Sequence, residues 1–396
     1  MALGMACAVY WSVRLAWADH LAKGDSLQQA HAAVALAANN AAYWLRVADL
    51  EQARGESGGP GIAEAVRVDP YDAEVWMRAG LLAEANGDLA RAEQDLLRAA
   101  RLSRQFEPRW TLANYYFRRN DLDRFWPWAH SALVASFNER WLLFDLCWRI
   151  QPDAGVILSR AIPDNSEVLR DYLSYLLYHN HLEASLPVAH KLEAEASEQD
   201  REPLLRYANR MLDRRQWQAA LSAWNALCLR KLVRYAPLDA GRGRLVTNGD
   251  FRAQPLDSGF DWRLPEVSGV AAVYSDSPPW LRFDFSGDQP EHCNVVYQFV
   301  PVEAGSRYAL RFTYRTEGIQ PGTGLEWKVT DAATGGEILT PPLHLSSESW
   351  TSEGIAFAAP AGMQAAAVTL DYRRQPGTVR IEGTVWLRNV GLERLP

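Results

Sequence analysis

The sequence predicts a multidomain α plus β protein, an α-helical solenoid followed by an antiparallel β-sandwich. Three observations carry this expectation. Trp44, Trp76 and Trp110 recur at steps of 32 and 34 residues inside helix-patterned segments, the period of a two-helix repeat. After a Pro- and Gly-containing stretch at 236–244 (APLDAGRGR), apolar residues switch from helical spacing to alternation. The alternating runs are short and are separated by turns such as EAGS, TEGIQPGTG and RQPGT.

The segment 69–102 is the clearest repeat. Asp69 and Pro70 suit an N-cap and a first helical position. Val75, Trp76, Ala79, Leu82 and Ala83 then form one apolar stripe, and Leu89, Ala92, Leu96 and Ala99 a second. Asn86-Gly87-Asp88 between them marks a turn, because Gly tolerates the left-handed conformation that ends a helix. Small residues at Ala79, Gly80, Ala92 and Ala99 allow two backbones to approach closely.

The N-terminal run MALGMACAVYWSV is apolar but short for a bilayer span. Two readings stay open for 1–18: the end of a membrane anchor, or the first packed helix of the solenoid. The anchor is preferred, because Tyr10, Trp11 and Trp17 suit a membrane interface. It implies an extracytoplasmic, periplasmic body held at the inner membrane. Residues 19–235 read as the helical repeat domain, with a short irregular segment at 138–163 broken by Pro152 and Pro163. Residues 236–244 read as a linker crossed by few contacts, and 245–396 as the sandwich. Strands are expected at 270–274, 280–285, 294–302, 307–315, 325–330, 350–358, 366–373, 379–383 and 385–390.

Composition narrows function. With 48% hydrophobic residues, the 396-residue chain can build more than one core. A net charge of −7 without a basic cluster argues against nucleic acid as a partner. Four cysteines without CxxC spacing argue against a zinc site, and Cys147 and Cys228 fall on apolar helical faces. No P-loop, HExxH, nucleophile elbow or GxGxxG occurs in a supporting context. A non-catalytic chain is therefore expected.

The repeat resembles a tetratricopeptide (TPR) repeat. Trp76, Gly80, Ala92 and Ala99 stand at family positions. The resemblance covers about 20–230, most closely 41–137, with a further copy carrying Leu204, Ala208, Ala220, Trp224 and Leu227. In the unit from Glu107, Asn114 and Trp126 replace small residues. After the linker, Asn248-Gly249-Asp250-Phe251 with a following Gly-aromatic-x-Trp resembles the opening of family 4/9 carbohydrate-binding modules. Tyr297-Gln298-Phe299-Val300, the run 305–312 (GSRYALRF) and 386–390 (WLRNV) extend that likeness over 245–396. The resemblance implies a jelly roll and a glycan ligand. It also implies a structural calcium in some members, to which Asp250 would contribute. Asn389 stands where the family has Asp, which weakens that implication, and no other cofactor is expected.

Candidate sites follow. Alternation places Leu310, Phe312, Trp327, Leu370 and Tyr372 in the core. It places Arg311, Thr313, Arg315, Glu326, Lys328, Asp371, Arg373, Arg380 and Glu382 on the opposite side. If the strands were neighbours, these would form one charged sheet face able to hydrogen-bond sugar hydroxyls. Trp262, Trp280 and Trp386 are the candidate stacking platforms. In the helical part, Trp110, Tyr115, Tyr116 and Trp126 are candidates for a protein-binding groove. Helix packing is the competing reading for them, as a solvated ion-paired sheet is for the charges.

The two-part architecture is similar to anchored TPR proteins of exopolysaccharide biosynthesis and export. That likeness implies a scaffold that holds a protein partner on the solenoid and an oligo- or polysaccharide on the sandwich. One alternative is a pure protein–protein scaffold. A second is a glycoside-active enzyme using the sandwich carboxylates Glu326, Asp371 and Glu382.

Overall fold

The computed structural model describes residues 2–138, 140–339 and 343–396. Helices fill the first part: α1 (Ala2–Ala22), α2 (Leu27–Leu36), α3 (Ala41–Gln52), α4 (Gly59–Val68), α5 (Ala73–Ala85), α6 (Leu89–Leu102) and α7 (Phe106–Arg118). They continue as α8 (Leu122–Ala135), α9 (Arg140–Ile150), α10 (Ala154–Arg160), α11 (Ser166–Tyr178), α12 (Leu182–Ala194), α13 (Arg201–Asp213) and α14 (Trp217–Leu229). Strands follow: β1 (Val270–Asp276), β2 (Pro279–Ser286), β3 (His292–Pro301), β4 (Arg307–Glu317), β5 (Leu325–Asp331), β6 (Leu343–His344), β7 (Thr351–Ala358), β8 (Ala365–Arg373) and β9 (Glu382–Leu395). The chain divides into two compact units, Met1–Tyr172 and Leu173–Pro396. The division falls inside α11, well before the change from helix to strand.

In the first unit the repeat signal has a structural cause. The Trp76 indole donates to the carbonyl of Pro70, six residues earlier, at 2.9 Å. The Trp44 indole does the same to Ala38 at 2.9 Å. Each Trp thus ties a helix to the turn that enters it. The N-cap of α5 is Asp72, whose carboxylate accepts from Glu74 N at 2.8 Å. Asp69 instead ends α4 and closes the turn by accepting from Tyr71 N at 3.1 Å. The cap therefore lies three residues beyond the expected one, because Asp69-Pro70-Tyr71 forms a turn rather than a first helical turn. Gly80 is where α5 meets α6: a Cβ there would lie 2.7 Å from Leu96 Cγ and 3.1 Å from the Ala92 carbonyl oxygen. Gly80→Leu is expected to cost about 1–3 kcal/mol by overpacking. It should be read as a lower first melting transition of the full chain, and an unchanged transition would refute the close contact. The segment around Pro152 is more regular than expected, since α9 and α10 flank it.

Among its described residues, helix α1 is held through its C-terminal half. Ala18 is buried, and Arg14 Nε donates to the Leu36 carbonyl at 2.8 Å. Met5, Val9, Tyr10, Trp11 and Val13 are exposed. No helix among the described residues is long and apolar enough to cross a membrane.

The second unit joins α12, α13 and α14 to two antiparallel sheets. The sheet orders are β1-β2-β9-β4-β7 and β3-β8-β5-β6. The sheets share one core in which Phe312 of the first meets Trp327 of the second at 5.4 Å between ring centroids. Two expected strands near the C-terminus are one, β9, which begins at Glu382. Val379 lies exposed in the loop before it. The stretch 236–244 is not the sparsely contacted linker that was expected. Asn225 of α14 brackets Leu238 through both backbone groups, at 2.8 and 2.9 Å. Trp224 packs on Phe260, and Asn209 of α13 accepts from Gly259 N at 2.7 Å. Trp217 meets Phe299 of β3 at 5.6 Å. The aromatic residues of α14 need cover, and the loops and β3 edge of the strand region supply it.

The resembling motif 248–251 is structural. Asn248 holds the loop by donating to the Ala253 carbonyl at 2.7 Å, and its own carbonyl accepts the Trp262 indole at 3.1 Å. Gly249 lies against the last strand, where a Cβ would fall 1.9 Å from the Val390 carbonyl oxygen. Only glycine permits that approach.

Candidate functional site

One surface in each unit combines exposed aromatic and charged side chains. In the first unit, a groove of about 750 Å³ runs beside α5 and α7. Tyr71, Met77, Leu81 and Trp110 give it apolar lining, and Arg78 and Glu107 give it charge. Tyr71 is 78% exposed and Leu81 40%. Of the four aromatic groove candidates only Trp110 lies here. Tyr115, Tyr116 and Trp126 are buried. Tyr115 and Tyr116 turn inward from α7, where their hydroxyls reach the Leu89 carbonyl and the Glu93 carboxylate, both at 3.0 Å. Trp126 packs edge-on against Phe125 in α8. These three hold helices together and offer no surface.

In the second unit the expected single charged face does not exist. Strand β4 pairs with β7 and β9, whereas β5 pairs with β8, so the successive strands β4 and β5 lie in opposite sheets. Glu326, Lys328, Asp371 and Arg373 therefore sit outside the four-stranded sheet, and Arg311, Thr313, Glu382, Trp280 and Trp386 outside the five-stranded one. Arg380 is in the exposed loop before β9. Trp262 is 0% exposed and belongs to the core, so it cannot stack on a ligand.

The four-stranded face carries a closed ion-pair cluster. Glu326 and Asp371 are cross-strand partners, with His344 opposite Glu326 and Asn294 opposite Asp371. The Lys328 ammonium lies 2.7 Å from Asp371 Oδ2, 3.5 Å from Glu337 and 3.8 Å from Glu326. His292 Nε2 lies 3.0 Å from Asp371 Oδ1, and His344 Nδ1 3.3 Å from Glu326 Oε2. Glu326 and Asp371 are 5% and 1% exposed. Burial, helped by the Asp371 charge, pushes the Glu326 carboxyl above its ordinary value, against Lys328, His344 and Arg373. These carboxylates are covered and paired with cations, so they are poor hydrogen-bond partners for an incoming sugar.

The five-stranded face is different in kind. The register sets Arg282 of β2 and Arg315 of β4 on either side of Trp386 of β9. The next row sets Arg388 beside Thr313 and Thr313 beside Ser352. Guanidinium groups lie over indole rings: Arg315 over Trp386 at 4.5 Å, Arg282 over Trp280 at 5.7 Å, and Arg388 over Trp350 at 3.9 Å. Trp350 is 38% exposed, and Trp280 and Trp386 are half-buried. Asp284 pairs with Arg282 and Glu317 with Arg315, each at 2.9 Å. Arg311 is paired with Glu393 at 2.6 Å. Each indole carries a guanidinium over one ring face, so the surface offers stacked Trp–Arg pairs for the C–H side of a sugar and fixed donors and acceptors for its hydroxyls. Arg282, Arg388 and Trp350 were not among the expected site residues. The parity of 280, 282 and 284, and of 384, 386 and 388, was the available signal.

Asp250, the calcium candidate, is half-exposed and paired with Arg252 at 3.2 Å. Among the described residues no group of three or more His, Cys, Asp or Glu is gathered as a metal site would need.

No protein-family model matches the sequence, and no curated protein matches it. Solved structures do show likeness in parts. A carbohydrate-binding module, CBM4, is similar at 11% identity, over 38% of this chain and 99% of its own, with a TM-score of 0.31. YrrB, a TPR protein with an unusual peptide-binding site, is similar at 12% identity, over 52% of this chain and 94% of its own, with a TM-score of 0.27. The APC/C hetero-tetramer Cut9–Hcn1 is similar at 12% identity, over 54% of this chain and 46% of its own, with a TM-score of 0.31. Likeness at this level assigns no activity.

Proposed function

We propose that this chain is a non-catalytic binding protein of bacterial surface polysaccharide assembly or export, holding glycan on its five-stranded sheet face and a protein segment in the α5–α7 groove. The observation that carries the glycan half is the Trp–Arg face. Three indoles and three guanidiniums alternate over adjacent strands there, where an ordinary solvated face would carry scattered Lys, Glu and Thr. The groove, with its exposed Tyr71 and Leu81, supports the protein half. The place in exopolysaccharide assembly rests on the sequence resemblance. The paired, covered state of Glu326 and Asp371 disfavours glycosidic catalysis, which needs carboxyls that can reach the bond. We further propose that α1 continues a membrane anchor with the body on the periplasmic side. Full-length protein recovered free of membranes after cell fractionation would contradict that.

Calorimetry of the full chain against a panel of neutral and acidic oligosaccharides tests the glycan half. Trp386→Ala is expected to weaken binding by about tenfold or more, which is 1.4 kcal/mol per factor of ten. The melting temperature should hardly change, because Trp386 is only half-buried. Absence of binding to every oligosaccharide would leave the sandwich as a protein-binding surface, the competing reading.

A further inference from the structure

We infer that the five-stranded face selects an acidic saccharide, with a ligand carboxylate seated on Arg388; this rests on the glycan reading above. Arg282, Arg315 and Arg311 each have a carboxylate partner, in Asp284, Glu317 and Glu393. Arg388 has none. Among the described residues it makes no hydrogen bond and no ion pair, and its Nε is shielded from solvent with no acceptor. Its one interaction is with Trp350, whose ring centre lies 3.9 Å from the guanidinium carbon.

That combination is unusual for a structural arginine. A guanidinium carries five N–H donors in a planar fork that matches a carboxylate in bidentate fashion. Left without an acceptor on a protein surface, it ordinarily extends into water and samples many rotamers. Here the indole holds it, so the ordering entropy is largely spent before a ligand arrives. The chain as a whole is acidic, with a net charge of −7, yet it places no carboxylate against this cation.

The neighbours fit the same ligand. Thr313 is the cross-strand partner of Arg388, and its hydroxyl lies 2.9 Å from that of Ser352. Two neutral hydroxyls beside one free cation suit the hydroxyls and carboxylate of a single uronic acid residue. One row away, Trp386 with Arg315 stacked on it offers the surface for the next ring. The face therefore has a neutral subsite at Trp386 and an anionic subsite at Arg388. Arg282, Arg311 and Arg315 are neutralised locally, and Arg307 lies exposed at the far end of β4, so selectivity for charge beside the indoles falls on Arg388.

The test uses the full-length chain and matched probes: oligosaccharides of galacturonan and of glucuronan, and the same oligosaccharides after carboxyl reduction. The wild type is expected to bind the acidic form at least about tenfold more tightly. Arg388→Gln should abolish that preference, its loss for the acidic form being at least about tenfold larger than any loss for the reduced form. Trp386→Ala should weaken both forms. Equal wild-type affinity for the two forms, or an Arg388→Gln loss that is the same for both, would overturn the selectivity and leave the glycan reading intact. Binding to neither form, in a protein that melts normally, would remove the glycan reading and this inference together.

Discussion

Trp327→Ala is expected to lower the stability of the second unit by about 3–5 kcal/mol, the range for emptying a large aromatic from a closed core. Trp327 is 0% exposed. Its ring meets Phe312 from the opposite sheet at 5.4 Å and Trp262 at 6.2 Å, so it bridges the sheets and the loop that follows the 248–251 motif. No rotamer change can refill that volume from both sides. Trp327→Phe should cost much less. The buried indole N–H has no acceptor, so the shorter ring removes an unsatisfied donor as it removes volume. Calorimetry of the full chain would show the later or earlier of its transitions shift strongly for Ala and weakly for Phe. Equal shifts would mean that the core collapses around the gap.

Asp261→Ala is the second large effect. Asp261 is 0% exposed, and its carboxylate accepts from three donors: Tyr235 OH at 2.7 Å, Leu256 N at 2.7 Å and Trp262 N at 2.8 Å. Burial pushes its pKa up, and the donors hold it back. Removing the side chain strands all three donors, of which Trp262 N is fully buried and the other two partly so. Each stranded donor costs about 1–3 kcal/mol, and as they share one cavity the total should be on the order of 3–5 kcal/mol. Asp261→Asn keeps part of the acceptor set and should recover much of the loss. The Tyr235 ring stacks near Trp224 at 5.9 Å, so near-ultraviolet circular dichroism should report its release. An unperturbed spectrum and melting curve for Asp261→Ala would show that water replaces the carboxylate.

The contrast between these residues shows what the sequence could and could not convey. Gly80 and Ala92 were legible, because a small residue at a fixed repeat position has one main reason to be small. Leu310, Trp327 and Tyr372 were legible, because alternation fixes which side of a strand is apolar. Sheet membership was not. Parity is a property of one strand, whereas membership depends on long-range pairing that leaves no local pattern, and β4 and β5 are successive in sequence but lie in different sheets. The charged strand residues are therefore divided between two sheets, with Arg380 in a loop, and form no single face. The aromatics of α7 and α8 failed for a related reason. Helical spacing marks Tyr115, Tyr116 and Trp126 as a stripe without saying whether a neighbouring helix covers it. Gly249 looked like part of a recognition motif, and only the last strand, more than a hundred residues later, reveals its steric role.

The fixing of α14 to the strand region has one more consequence. A repeat array has no intrinsic end. Whatever apolar face its last helix presents is the face on which another repeat, or the same helix of another molecule, would stack. Here that helix gives Trp217 to Phe299 and Trp224 to Phe260, and Gly259 lies so close that any Cβ would strike the Trp224 ring at 2.4 Å. Phe299, Phe260 and Gly259 of the strand region thus cover the indoles that the last helix presents. That cover leaves neither indole open for another helix to stack upon.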